Sequence, residues 1–455
     1  MKRLPWTASD LYATIAVAAA VGVVAAFAAT GMSFRNATDA TIHPATMAVL
    51  LCVACIPLIR WAVRGDQMLF RIVLGGLLAK GLGMYLRFVL TGNGDNKAYH
   101  QAGTKVAGWL SDGFVLPRNL PEHFGDTGTD WLSYMVGWLY YFTGPNRLTA
   151  YVVFTFLSFV GTLFFFRAAI SEIPELDKRR YAWLLFYLPS LLFWPSTIGK
   201  EAWMVFFLGL AALGGSALIR HSLSPWHLAA LIAGAAMAAR IRPHMAALMV
   251  VSLVGAAAWP KRSTGKRGQQ LILTVLGFGL LTVVMGQVAT FFSADRVELS
   301  AVLDFAQART AEGGSEFSSI PISGPQNIVQ GTVSVLFRPF LFEASNAFQL
   351  LGSLESLGMM TLAVVSYQRL RRVPRLFLNN TYVRFAVLFS LGFIVAFSVI
   401  SNFGILTRQR AQLWPILLVL FALSPAGNAT YRPSSANNTN DTNDTNAAVV
   451  AEPTR

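Results

Sequence analysis

Charge is what this chain of 455 residues has least of. Asp, Glu, Lys and Arg make up 13% of it, against 54% hydrophobic residues, whereas soluble domains carry about 25% charge. That deficit excludes an ordinary soluble fold and points to a polytopic membrane protein. Its apolar runs are continuous over about 18–25 residues and do not alternate, which excludes a β-barrel. Cysteine is nearly absent. Cys52 and Cys55 sit inside MAVLLCVACIPLI with no flanking ligands, so they read as small buried residues and not as a redox or metal pair. Catalytic signatures are missing as well: there is no Walker A, HExxH or GxSxG sequence, which argues against a nucleotide-driven pump or a zinc protease. No strict internal repeat is visible, unlike ordinary transporters built from inverted halves.

What is present is an excess of positive charge, 36 Lys and Arg against 22 Asp and Glu. In a membrane chain such an excess marks cytoplasmic loops, and it does not point to nucleic acid. The apolar pattern predicts an all-α, polytopic transmembrane helical bundle over residues 1–423. Residues 11–30 read as an uncleaved first span, because the apolar core is longer than that of a usual signal peptide. Further spans are expected near 46–59, 70–90, 148–170, 271–292, 348–367, 383–400 and 413–423. Residues 181–220 and 228–259 each read as two crossings, interrupted by FWPSTIGKEAW and AARIRPH. Residues 131–143 are too short to cross and read as an interfacial or re-entrant helix. The total is about eleven crossings, within a range of about 9–13.

Parity then divides the loops. The basic segments around Arg60–Arg71, Lys178–Arg180, PKRSTGKRG and RLRRVPR fall on one face, cytoplasmic by the positive-inside rule together with both termini. Two long loops, about 91–131 and 293–338, fall on the outer face. The tail 424–455, with NNTNDTNDTN, is expected to be disordered and cytoplasmic.

The outer face collects the unusual chemistry. TGNGDNKAYHQAG, at 91–103, opens the first long loop; Asp95 there is either a helix cap or a general base for an acceptor hydroxyl. Tyr99 and His100 follow one helical turn later, where they would line a sugar site, and Asp126 and Asp130 are second-choice carboxylates. Lys200 and Glu201 follow a proline break between apolar helices, as a simple charge pair or as part of an anion site. Arg240, Arg242 and His244 interrupt about thirty apolar residues, and their forked donors suit a phosphate. Arg338 either pairs with Glu343 or joins the same anion site. Arg408 and Arg410 lie just before the expected last span, as its anchor or as further anion ligands.

The order of GDNKAYH in an outer loop, an aromatic helix ending in YYFTGPNR, and then LPSLLFWPSTIGKEA resembles the GT-C superfamily of integral-membrane glycosyltransferases, especially its protein-mannosyltransferase-like branch. The resemblance spans about residues 90–260. It departs in two ways: three spans precede the acidic loop instead of one, and Asp95 is followed by Asn96 where adjacent acids are common. FRPFLFEASN and NFGILTRQR are also similar to O-antigen polymerase-like and ligase-like proteins. The resemblance implies an enzyme of the bacterial inner membrane that moves a sugar from a polyprenyl-phosphate donor to a glycan or lipid acceptor at the outer face. Asp95 would be the base, and Lys200, Arg240, Arg242, His244, Arg338, Arg408 and Arg410 would hold the lipid phosphate. The alternatives are a polymerase or ligase acting on a polyprenyl-diphosphate-linked glycan, and a non-catalytic transporter of lipid-linked sugar. No metal cluster and no dedicated cofactor are expected, although Asp95 with phosphate oxygens could hold one divalent ion.

Overall fold

The computed structural model describes residues 42–425 except 92–93, 122–124, 126, 221–223, 323 and most of 259–316. The expected first span, the expected span at 271–292, most of the second long loop and the low-complexity tail lie outside the described residues. Asp126 does too.

The described chain is all-helical, with an isolated β-bridge between Leu176 and Leu423 and no strand among the described residues. The helices are α1 (Pro44–Val63), α2 (Gln67–Leu90), α3 (Asp95–Ser111), α4 (Gly128–Thr143), α5 (Arg147–Glu172), α6 (Lys178–Tyr187), α7 (Pro189–Phe193), α8 (Lys200–Arg220), α9 (Pro225–Ile241) and α10 (Pro243–Ala258). After the gap come α11 (Ile328–Phe337), α12 (Ala347–Val365), α13 (Tyr367–Leu370), α14 (Val373–Asn379), α15 (Thr381–Phe397) and α16 (Phe403–Phe421). Five of them, α1, α2, α5, α8 and α12, are long and apolar enough to cross a bilayer, and there are six if the segment 367–397, bent by 111°, counts as one.

Local chemistry sets the boundaries. Asp66, Asn146, Asp177, Asn380 and Asn402 each accept a backbone N–H of the helix that follows, supplying bonds that a helix start otherwise lacks. Leu188, forced into an extended conformation ahead of Pro189, separates α6 from α7. Only Arg242 separates α9 from α10. At the centre α5 and α8 touch backbone to backbone: a Cβ on Gly161 would lie 2.5 Å from the Val205 carbonyl.

Three expectations need correcting. The last helix begins at Phe403, ten residues ahead of the expected span at 413, so Arg408 and Arg410 sit inside α16 and not in a loop before it. Asn402 caps that helix and Arg410 and Gln412 are buried in protein, so polarity did not end it. The segment 328–337, expected in an outer loop, is helical. The first of the two crossings expected in 181–220 is split into α6 and α7.

Bonds between distant parts of the chain sort the helix ends into two faces. At one end Arg64 donates to Ser171 at 2.9 Å, Arg180 to the Phe421 carbonyl at 3.0 Å, Arg372 to the Ser424 carbonyl at 2.5 Å, and Asn380 to the Glu172 carbonyl at 2.9 Å. Arg369 lies 3.5 Å from Asp177 there. The described basic segments, around 60–71, 178–180 and 369–375, therefore converge at one end. At the other end the Ile42 N–H meets the Thr143 carbonyl at 2.8 Å, and the charged motifs of the outer loops gather. Helix α5, about 39 Å long at 1.5 Å per residue, separates the two.

Candidate functional site

A cavity of about 1610 Å³ opens at the end opposite the basic segments. It exceeds the roughly 300–1,000 Å³ of ordinary small-molecule sites, and its walls are of two kinds. Leu82, Leu86 and Leu90 of α2 face Leu351, Leu354 and Leu362 of α12 across an apolar groove, and most of these side chains are exposed at the bundle's flank. Above the groove the lining turns polar with Asp95, Lys200, Glu201, Arg242, His244 and Arg408.

The polar groups come from four separated parts of the chain. Asp95 begins α3 after Gly94, which caps the helix without a side-chain bond. The carboxylate is therefore free of the capping role and meets Arg408 at 3.0 Å. It is also open, 72% exposed at the side chain, so a water-borne molecule can reach it. Lys200 and Glu201 start α8. Glu201 does not pair with its neighbour Lys200; it accepts from Arg242 at 2.9 Å, with both side chains nearly enclosed. That pairing ties α8 to the α9–α10 junction. Among the described residues Lys200 has no carboxylate at ion-pair distance.

Tyr99 lines the same cavity. Burial, and then the nearby Glu201 and Asp95 charges, push its phenol above the ordinary range, so it stays a neutral hydrogen-bonding group at physiological pH. Arg410 also lines the wall, but its guanidinium donates to the Val335 carbonyl at 2.6 Å and to the Arg338 carbonyl. Its role there is to brace the chain leading out of α11.

Three residues expected at the site stand outside the cavity lining. His100 turns to the Tyr140 hydroxyl, 2.8 Å away; burial, and then the Arg147 charge, hold its imidazole below the usual histidine range. Arg240 lies over the Trp131 ring at 5.2 Å, pointing away from Arg242 although two residues distant. Arg338 pairs with Glu343 and stacks on Phe317 at 4.3 Å. Asp130 accepts the Gly125 N–H at 3.0 Å and shapes its own loop.

Sequence reasoning passed over Arg87 and Glu355, both in the lining. Glu355 accepts the Ser190 N–H at 2.7 Å from within an apolar helix. Charge inside an expected span was the available signal for both.

No family model matches this chain, and neither the curated proteins nor the solved structures contain a match.

Proposed function

We propose that this chain is a membrane glycosyltransferase that moves a sugar from a polyprenyl-phosphate donor to a cell-envelope glycan or lipid acceptor, at the face away from the basic segments. The observation that carries this reading is the two-part cavity, an apolar groove open at the flank of the bundle that runs directly into a cluster of carboxylates and cations. An isoprenoid chain suits the first part and a sugar phosphate the second. With the basic segments cytoplasmic, the site faces outward.

In this reading Asp95 takes the proton from the acceptor hydroxyl. The hydroxyl oxygen bonds to the anomeric carbon as the bond from that carbon to the phosphate oxygen breaks, with inversion. The electron pair leaves with the lipid phosphate, where Lys200 and Arg242 stabilise the added charge. Glu201 holds Arg242 in place for this. A second reading, a polymerase or ligase using a polyprenyl-diphosphate-linked glycan, draws on the surplus of cations: Arg87, Lys200, Arg242, Arg408 and Arg410 line the cavity against Asp95, Glu201 and Glu355.

The test compares a deletion strain complemented with wild type or Asp95→Asn at matched expression, with envelope glycans and lipid-linked intermediates read by mass spectrometry. Loss of one defined sugar with build-up of its polyprenyl-phosphate donor in both the deletion and Asp95→Asn is expected. Loss of long chains with accumulation of single repeat units would favour the second reading. Full complementation by Asp95→Asn would remove Asp95 as the base.

A further inference from the structure

We infer that Arg87 is the primary ligand of a lipid-borne phosphate, at the point where the apolar groove meets the polar part of the cavity. The inference rests on the site described above and adds a residue and a position to it.

Arg87 lies on a stripe of α2 that packs on α6 and α7. A Cβ at Gly76 would meet Phe186 and one at Gly83 would meet Leu192. Lys80, on the same stripe, gives its ammonium to the Leu191 carbonyl at 2.5 Å. That lysine is consumed by the fold, since it satisfies a carbonyl at the α7 break. Arg87, two turns further on, has no such partner among the described residues. It is 9% exposed, and its Nε is buried without a hydrogen-bond partner. A buried cation inside an apolar helix is costly unless it is paired or used.

Its surroundings hold the charge without filling the donors. The guanidinium carbon lies 4.8 Å from the Phe193 ring and 4.7 Å from the Trp194 ring. Aromatic faces attract a cation but accept no in-plane N–H bonds. Arg408 shares the Trp194 ring at 5.4 Å, so the two guanidinium carbons, each measured to one centroid, lie within about 10 Å of each other. Two like charges so placed repel unless an anion comes between them. Arg408 Nε and Arg242 Nη1 are likewise buried without partners. All three arginines line the one cavity.

The unfilled donors ask for an anion with several acceptor oxygens, and phosphate is what forked guanidinium groups bind best. The lipid comes from the position of Arg87. On its own helix the next exposed residues of the lining are Leu86, Leu82 and Leu90, so a phosphate on Arg87 would leave its ester substituent pointing into the apolar groove. Free phosphate would use the donors and none of the groove.

The test uses the full chain in nanodiscs, with binding measured for three probes: a C55 polyprenyl phosphate, the matching polyprenol, and inorganic phosphate. Wild type is expected to bind the polyprenyl phosphate most tightly. Arg87→Gln should weaken that probe about tenfold or more, the worth of a charge-assisted hydrogen bond, and leave the polyprenol unchanged. Arg87→Lys should fall between, since it keeps the charge and loses the fork. Should Arg87→Gln fail to give monodisperse protein, Arg87→Lys and Trp194→Phe make the same comparison. Polyprenyl-phosphate binding by Arg87→Gln equal to wild type would overturn the inference. So would equal affinity for inorganic phosphate, or no saturable polyprenyl-phosphate binding by the wild type. Binding is read without turnover, so a chain that binds as expected yet transfers no sugar refutes the transferase and leaves this assignment standing.

Discussion

Replacing Glu201 with Gln keeps the size and one acceptor oxygen of the side chain, removes its charge and turns the other oxygen into an amide donor. Its partner Arg242 lies 2.9 Å away, and the two side chains are 12% and 10% exposed. Among the described residues Glu201 is the carboxylate at ion-pair distance from Arg242, and the Arg242 Nη1 is buried without a hydrogen-bond partner. Breaking a buried ion pair by removing one member costs about 3–5 kcal/mol, because a charge is left stranded. The pair borders a cavity that water can enter, which places the expected loss at the low end, about 3 kcal/mol. Removing both charges in Glu201→Gln/Arg242→Gln strands nothing. The double variant should therefore lose at least about 1.5 kcal/mol less than the sum of the two single losses. Denaturant unfolding in detergent, followed by tryptophan fluorescence and fitted for all four proteins, measures this coupling. Additivity within about 0.5 kcal/mol would show that the two groups act independently and that the α8-to-α10 link is not electrostatic.

Gly161→Ala should destabilise by about 2–3 kcal/mol, because the added methyl meets the backbone of α8 and forces two packed helices apart; Gly108→Ala, on an open face of α3, should be neutral or slightly stabilising in the same unfolding assay. His100 gives a pH signature. Its folded-state pKa is lowered by burial first and then by Arg147, so below the unfolded value of about 6.5 the unfolded chain binds more protons than the folded one. Stability is therefore expected to fall as pH drops from about 7 toward 5, and His100→Gln should flatten that slope in unfolding curves taken across the interval.

The elements that were legible in the sequence are those governed by local rules. The helices α1, α2, α5, α12 and α15 show as apolar runs, the break before α8 shows as proline and glycine, and α4 shows as a short aromatic segment. Asp95, Lys200, Arg242 and Arg408 stood out because charge is rare here. Partnership was not legible. Asp95 and Arg408 are 313 positions apart, and nothing in either neighbourhood specifies the other. Arg240 and Arg242 look equivalent in AARIRPH, yet the helix ends between them and sends one to Trp131 and the other to Glu201. Lys200 and Glu201 look like a pair, yet Glu201 bonds to Arg242 instead. Arg87 was hidden by its surroundings, since an arginine near the end of a span reads as an interfacial anchor until the two aromatic rings beside it are seen.

Helix α12 forms one wall of the groove, yet only 22% of its apolar window is buried, the smallest share among the five long apolar helices. In a bilayer most of its side chains would therefore have lipid as their neighbour, and the bilayer would act as a structural component of that wall. A helix held mainly by its solvent tilts to match the thickness of that solvent, at a cost of fractions of a kcal/mol per ångström of mismatch. The width of the groove is then a property shared by the protein and its membrane. Reconstitution in bilayers of graded acyl-chain length would tune the entry of a long isoprenoid without altering a residue of the polar site.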